Sequence, residues 1–128
     1  MAGILLIEPD RKLARTYASL FAATGHAVRT AATAQAAICM ADDRAPDLVV
    51  LELQLVAHSG IEFLYEFRSY VDWRQVPVVV LSGVPPAEFA VSRRLLTEQL
   101  GVRAYHYKPQ TSLAALRRTV DTLLAKDV

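Results

Sequence analysis

Asp47 to Leu53 reads DLVVLEL, and its middle four residues, Leu48-Val49-Val50-Leu51, are apolar without a break. Side chains on a strand alternate between its two faces. Four apolar residues in a row therefore ask for cover on both faces, as in a parallel sheet flanked by helices. Glu52 stands near the end of this run. Gly3 to Ile7 (GILLI) reads the same way and stops at Glu8-Pro9-Asp10. So does Val76 to Leu81 (VPVVVL), which stops at Ser82-Gly83. His26 to Thr30 is a weaker strand, and Arg103 to Tyr107 is a short fifth one closed by Lys108-Pro109.

Between these runs the apolar period becomes helical. Leu13, Tyr17, Leu20 and Phe21 share one stripe, with Asp10 placed to cap the helix and Gly25 to end it. Thr33 to Ala45 is an alanine-rich helix closed by Pro46; Cys39, between Ile38 and Met40, is expected as a small core residue. Gly60 is expected in a turn, before a helix opened by Ile61, Leu64 and Tyr65 and running to about Tyr70. Pro85 and Pro86 suit the start of a fourth helix reaching about Leu100, with Gly101 after it. Thr111 or Ser112 caps the last helix, whose stripe is Leu113, Leu116, Val120, Leu123 and Leu124.

Five strands thus alternate with five helices, a (βα)5 pattern that implies an α/β doubly wound parallel sheet with right-handed crossovers. The 128 residues fit one domain, residues 1–128, and no linker or repeat marks a second, effector domain. Hydrophobic residues make up 53%, and the mean hydropathy is +0.25, which excludes a disordered chain. Fourteen basic and thirteen acidic residues leave a net charge of +1, so no nucleic-acid footprint is expected. The single cysteine excludes an internal disulfide and a cysteine-clustered zinc site. No run reaches the ~18 apolar residues of a membrane span. A cytoplasmic protein that binds no membrane is expected.

In such sheets the ligand or catalytic site lies beyond the carboxyl ends of the strands. That rule selects Glu8, Pro9, Asp10, Glu52, Ser82, Gly83, Tyr105 and Lys108. In this order and register they resemble the receiver domain of bacterial two-component response regulators, and the resemblance covers essentially the whole chain. It supplies the flavodoxin-like strand order 2-1-3-4-5. It also implies roles. Glu52 stands at the phosphoacceptor position, where the family has an aspartate that takes a phosphoryl group from a histidine kinase. Glu8 and Asp10 supply the acidic pocket, Ser82 and Tyr105 are the switch pair, and Lys108 is the phosphate-binding lysine. The face made by the fourth helix, fifth strand and fifth helix is where a protein partner, a histidine kinase or an effector, would dock.

The sequence also departs from the family pattern. Glutamate is one methylene longer than aspartate, and phosphoryl transfer depends on positioning. Pro9 replaces the second acid and brings neither a carboxylate nor an N–H. Glu8, Glu52 and the Gln54 carbonyl form at most a weak Mg²⁺ site, so no cofactor is expected. Glu52 is expected instead to reach Lys108 as an ion pair, with Ser82 bonded to it. Arg103 and Ala104 stand where the winged-helix transcription-factor class carries two acids. The expected function is therefore that of a stand-alone, non-enzymatic pseudo-receiver, a signalling module independent of aspartyl phosphorylation. The alternatives are an active phosphotransfer receiver and, third, a flavodoxin-like small-ligand binder; the chain has no glycine-rich phosphate loop and no G-x-S-x-G elbow. The sequence leaves the oligomeric state open.

Overall fold

A computed structural model describes residues 2–89 and 93–125. Five strands form one parallel sheet: β1 (Gly3–Ile7), β2 (Ala27–Ala31), β3 (Leu48–Leu51), β4 (Val78–Ser82) and β5 (Val102–Tyr107), in the order β2-β1-β3-β4-β5. The helices are α1 (Arg11–Ala22), α2 (Ala34–Asp43), α3 (Gly60–Ser69), the short π-wound α4 (Leu95–Gln99) and α5 (Leu113–Ala125). No helix among the described residues is long and apolar enough to cross a membrane.

The unbroken apolar runs are explained by two cores. Leu5 and Ile7 of β1 and Val49 and Leu51 of β3 point to one side, against Ala37 of α2 and Phe63 and Phe67 of α3. Ile4, Leu6, Leu48 and Val50 point to the other, against Tyr17 and Phe21 of α1 and Leu116 and Val120 of α5. Each residue of β3 is therefore buried whichever way it points. At roughly 1.5–3 kcal/mol per fully buried aliphatic side chain, β1, β3 and β4, with four such residues each, are the main organisers of the sheet.

The helix ends follow local chemistry. Asp10 Oδ1 accepts from the Lys12 and Leu13 N–H groups at 2.9 and 3.1 Å, capping α1. Ser112, not Thr111, caps α5, accepting from Ala115 N–H at 3.0 Å; the Thr111 hydroxyl donates back to the Tyr107 carbonyl. Gly25 and Gly101 adopt φ of +90° and +67°, where a side chain would be strained.

Two expectations change. Cys39 is exposed, because Ala34, Ala37 and Ala41 form the buried stripe of α2 and Cys39 falls on the opposite face. Gly60 does not sit in a turn but opens α3, and a Cβ there would meet the Leu53 Cα at 2.7 Å and the Glu52 carbonyl oxygen at 2.8 Å. Only the close approach of this helix start to the end of β3 demands a glycine. The fourth helix, expected from Pro85 to about Leu100, comprises a 3-10 turn at Pro86–Phe89 and a helix from residue 93 that is π-wound over Leu95–Gln99, and its middle, residues 90–92, lies outside the described residues.

Candidate functional site at the carboxyl edge of the sheet

Glu8 and Glu52 follow β1 and β3 directly, and backbone bonds carry each one step past its strand. Glu8 N–H donates to the Ala31 carbonyl at 2.9 Å, and Glu52 N–H to the Ile7 carbonyl at 3.0 Å. Both side chains are consequently held in one crevice, with only 4% and 5% of their surface exposed. Ser82 ends β4 and is fully buried there. Lys108 follows β5 and reaches across the sheet edge with its side chain 15% exposed.

Charges this deeply buried are stable only when paired and hydrogen-bonded. The Lys108 ammonium lies 2.6 Å from Oε1 of Glu8 and 2.6 Å from Oε1 of Glu52. Ser82 donates its hydroxyl to Oε2 of Glu52 and accepts from Val84 N–H at 3.1 Å. The Gln54 N–H reaches Oε2 of Glu52 at 3.1 Å, and the Gly83 N–H reaches its Oε1 at 3.3 Å. The other oxygen of Glu8 accepts from the Asp10 N–H at 3.1 Å.

The electrostatics follow from this geometry. Burial pushes the Glu52 carboxyl up, but hydrogen bonds from Lys108, Ser82 and the Gln54 N–H outweigh it and hold its pKa below the ordinary glutamate value. Burial likewise pulls the Lys108 ammonium down, and its bonds to Glu52 and Glu8 carry its pKa above the ordinary lysine value. The directions agree: the Glu52–Lys108 pair favours its ionised form.

Tyr105 on β5 packs against the first core, and its hydroxyl donates to the Val84 carbonyl at 2.7 Å. The Val84 N–H donates to Ser82 and the Val84 carbonyl accepts from Tyr105, and the Ser82 and Tyr105 side chains also hydrogen-bond to each other. Burial raises the Tyr105 pKa.

The crevice thus gathers Glu8, Glu52, Ser82 and Lys108, with Tyr105 hydrogen-bonded to Ser82 at its margin. Asp10 stands apart from it, exposed, with its carboxylate spent on capping α1. Gln54 contributes its N–H to Glu52 and is exposed. Reading side chains alone missed the Asp10, Gln54 and Gly83 N–H donors, since a backbone donor leaves no residue-type signature. The histidines are scattered: His26 faces Asp121, His58 faces Glu62, and His106 faces Thr119. Among the described residues no three His, Cys, Asp or Glu side chains converge on a metal position.

Residues 4–121 match the response regulator receiver domain. The chain belongs to that family. Its similarity to curated relatives is partial in extent. This receiver domain is 35% identical to the KDP operon transcriptional regulatory protein KdpE of Escherichia coli over 83 residues, 65% of this chain and 36% of that protein. It is 29% identical to the alginate biosynthesis transcriptional regulatory protein AlgB of Pseudomonas aeruginosa over 119 residues, 90% of this chain and 25% of that protein. The receiver domain therefore spans about a third or less of the length of these relatives. Among solved structures, NtrX from Brucella abortus superposes with a TM-score of 0.83 at 28% identity, covering 98% of this chain and 27% of that one. The chemotaxis protein CheY4 of Vibrio cholerae superposes with a TM-score of 0.83 at 18% identity, covering 96% and 98%, which speaks to the fold alone. The strand order implied by the resemblance is the one observed.

Proposed function

We propose that this receiver domain is a non-enzymatic signalling module set in one state by Glu52, without aspartyl phosphorylation, and that it signals by binding a protein partner through the α4–β5–α5 face. One observation carries the reading: Lys108, Ser82 and the Gly83 N–H all converge on the Glu52 carboxylate. A cation, a hydroxyl and an N–H are the donors an anion needs. Here the chain's own side chain occupies them. Ser82 is drawn inward by that carboxylate, and Tyr105 is tied to the residue that Ser82 holds. Glu52 thereby stands in for part of a phosphoryl group, with one negative charge against about 1.5 to 2.

The donor set does not fit Mg²⁺. That ion prefers near-octahedral oxygen ligands at about 2.0–2.1 Å. The nearer oxygens of Glu8 and Glu52 are both turned to the Lys108 ammonium, and Pro9 adds no oxygen from a side chain. The ammonium takes the place between the carboxylates that a cation would need. Phosphoryl transfer rests on metal and positioning together, and the extra methylene of Glu52 displaces the attacking oxygen.

The test is a titration with beryllofluoride and Mg²⁺, read by amide NMR shifts, on wild type, Glu52→Asp, and Glu52→Asp combined with Pro9→Asp. Wild type is expected to show no saturable response, and the double variant to regain one centred on residue 52 and Lys108. A saturable wild-type response, or a phosphoryl group on Glu52 after incubation with acetyl phosphate, would overturn the proposal in favour of an active phosphotransfer receiver.

A further inference from the structure

The proposed docking face has a charge pattern of its own. Between α4 and β5 lies a hollow of about 410 Å³ lined by Arg93, Arg94 and Arg103 above an apolar floor of Leu96, Val102 and Tyr105. Across β5 lies a second, of about 500 Å³, lined by Arg103, Arg118, His106 and Leu123 among others. Arg103 and Ala104 line both, so the two form one surface across the edge strand. Among the described residues no aspartate or glutamate lines either hollow. Arg94 lies 3.6 Å from the exposed Glu98, whereas Arg93, Arg103 and Arg118 have no carboxylate partner among the described residues. Burial lowers the His106 pKa, so His106 adds no charge near neutral pH. A chain of net charge +1 has thus concentrated arginine on one face.

Resting on the reading of this face as the docking surface, we infer that it takes an acidic segment of a partner protein, with apolar side chains in the hollows and carboxylates on the arginines. Arginine pairs with carboxylates in a two-pronged geometry that lysine lacks, and among the described residues every lysine or arginine lining these hollows is arginine. The apolar floor calls for a ligand with apolar side chains, which a nucleic-acid backbone does not offer. A second copy of this chain is disfavoured as well. A two-fold interface sets each patch against itself, and here that places arginine against arginine. Tyr105 ties the surface to the crevice, since it lines the first hollow while its hydroxyl bonds to Val84.

The probe is a synthetic peptide alternating Glu and Leu, titrated into the full chain and followed by amide NMR. Its controls are a Lys-Leu peptide and a duplex DNA oligonucleotide. Saturable shifts over residues 93–106 and 115–123 are expected with the Glu-Leu peptide alone. Arg103→Glu with Arg118→Glu should weaken binding by roughly tenfold or more, as charge reversal at an interface does. Both residues are exposed, so the variant should keep its fold, which thermal unfolding checks. Arg93→Glu is the second variant and should weaken binding in the same direction. Absence of shifts, equal binding of DNA, binding indifferent to the arginine reversals, or a concentration-dependent dimer by light scattering would each overturn the inference. The same titration on Glu52→Gln separates the two proposals. Peptide binding that survives unchanged there keeps this inference and breaks the control by Glu52. A wild type silent to both peptide and beryllofluoride breaks this inference alone.

Discussion

The crevice at the carboxyl edge and the face of α4, β5 and α5 treat charge in opposite ways. In the crevice Glu8 and Glu52 are buried and share the mostly buried Lys108 ammonium inside the fold. On the face, Arg93, Arg103 and Arg118 are exposed and without carboxylate partners among the described residues. Charge in the crevice is committed to holding the fold together. Charge on the face is free to meet something outside it. Changes in the first region should therefore register in stability and, through Glu52, in the state of the face, whereas changes in the second should register in association alone.

The largest effect is expected at Lys108. Lys108→Met leaves two buried carboxylates without their cation, and breaking such a pair costs about 3–5 kcal/mol at neutral pH. Urea unfolding measures it, and a variant as stable as wild type would erase the contrast between the two regions. The pH dependence carries a sign. Glu52 titrates lower in the folded than in the unfolded chain, so its contribution is present above the ordinary glutamate value of 4.5 and fades as pH falls below it. Lys108 titrates higher when folded, so its contribution is present below the ordinary lysine value of 10.5 and fades as pH rises above it. Stability should show a plateau between these limits, and the penalty of Lys108→Met should shrink at acid pH as Glu52 protonates.

Gly60→Ala comes next. Its Cβ would press on backbone at Leu53 and Glu52, atoms that cannot swing aside, and overpacking of this kind costs about 3 kcal/mol. A thermal unfolding scan is sufficient to detect it. Ser82→Ala removes one donor to Glu52 and the acceptor for Val84 N–H, for about 1–2 kcal/mol. Smaller still is Arg103→Glu, which should stay within about 0.5 kcal/mol of wild type in the same unfolding measurement. If Arg103→Glu destabilised the fold as much as Ser82→Ala, the face would have to be regarded as structural.

Much of the sheet was legible because its central strands are buried on both faces, and an unbroken run such as LVVL suits few arrangements besides a strand covered on both sides. The cap at Asp10 was legible because it is local. The strand order was not read from periodicity; it came with the family resemblance. The bond from Lys108 to Glu52 was foreseen, but the equal distance to Glu8 was not, because it depends on how far three strand ends project from one edge. Cys39 was misplaced because its apolar neighbours Ile38 and Met40 drew it inward, whereas the Ala34–Ala37–Ala41 stripe sets the buried face. The π winding of the fourth helix was not legible, because two prolines mark where a helix can begin and say little about how its turns are wound.

The Glu52 carboxylate is joined to its backbone by carbon–carbon bonds, whereas an acyl phosphate is joined by a bond that water cleaves. A phosphorylated receiver carries its own clock, and its signal ends when that bond is hydrolysed. A side chain has no such lifetime. Under the proposed function, the strength of the signal would follow how many copies of the protein are present rather than how long ago a stimulus arrived, and synthesis and degradation would be the ways to turn it up or down.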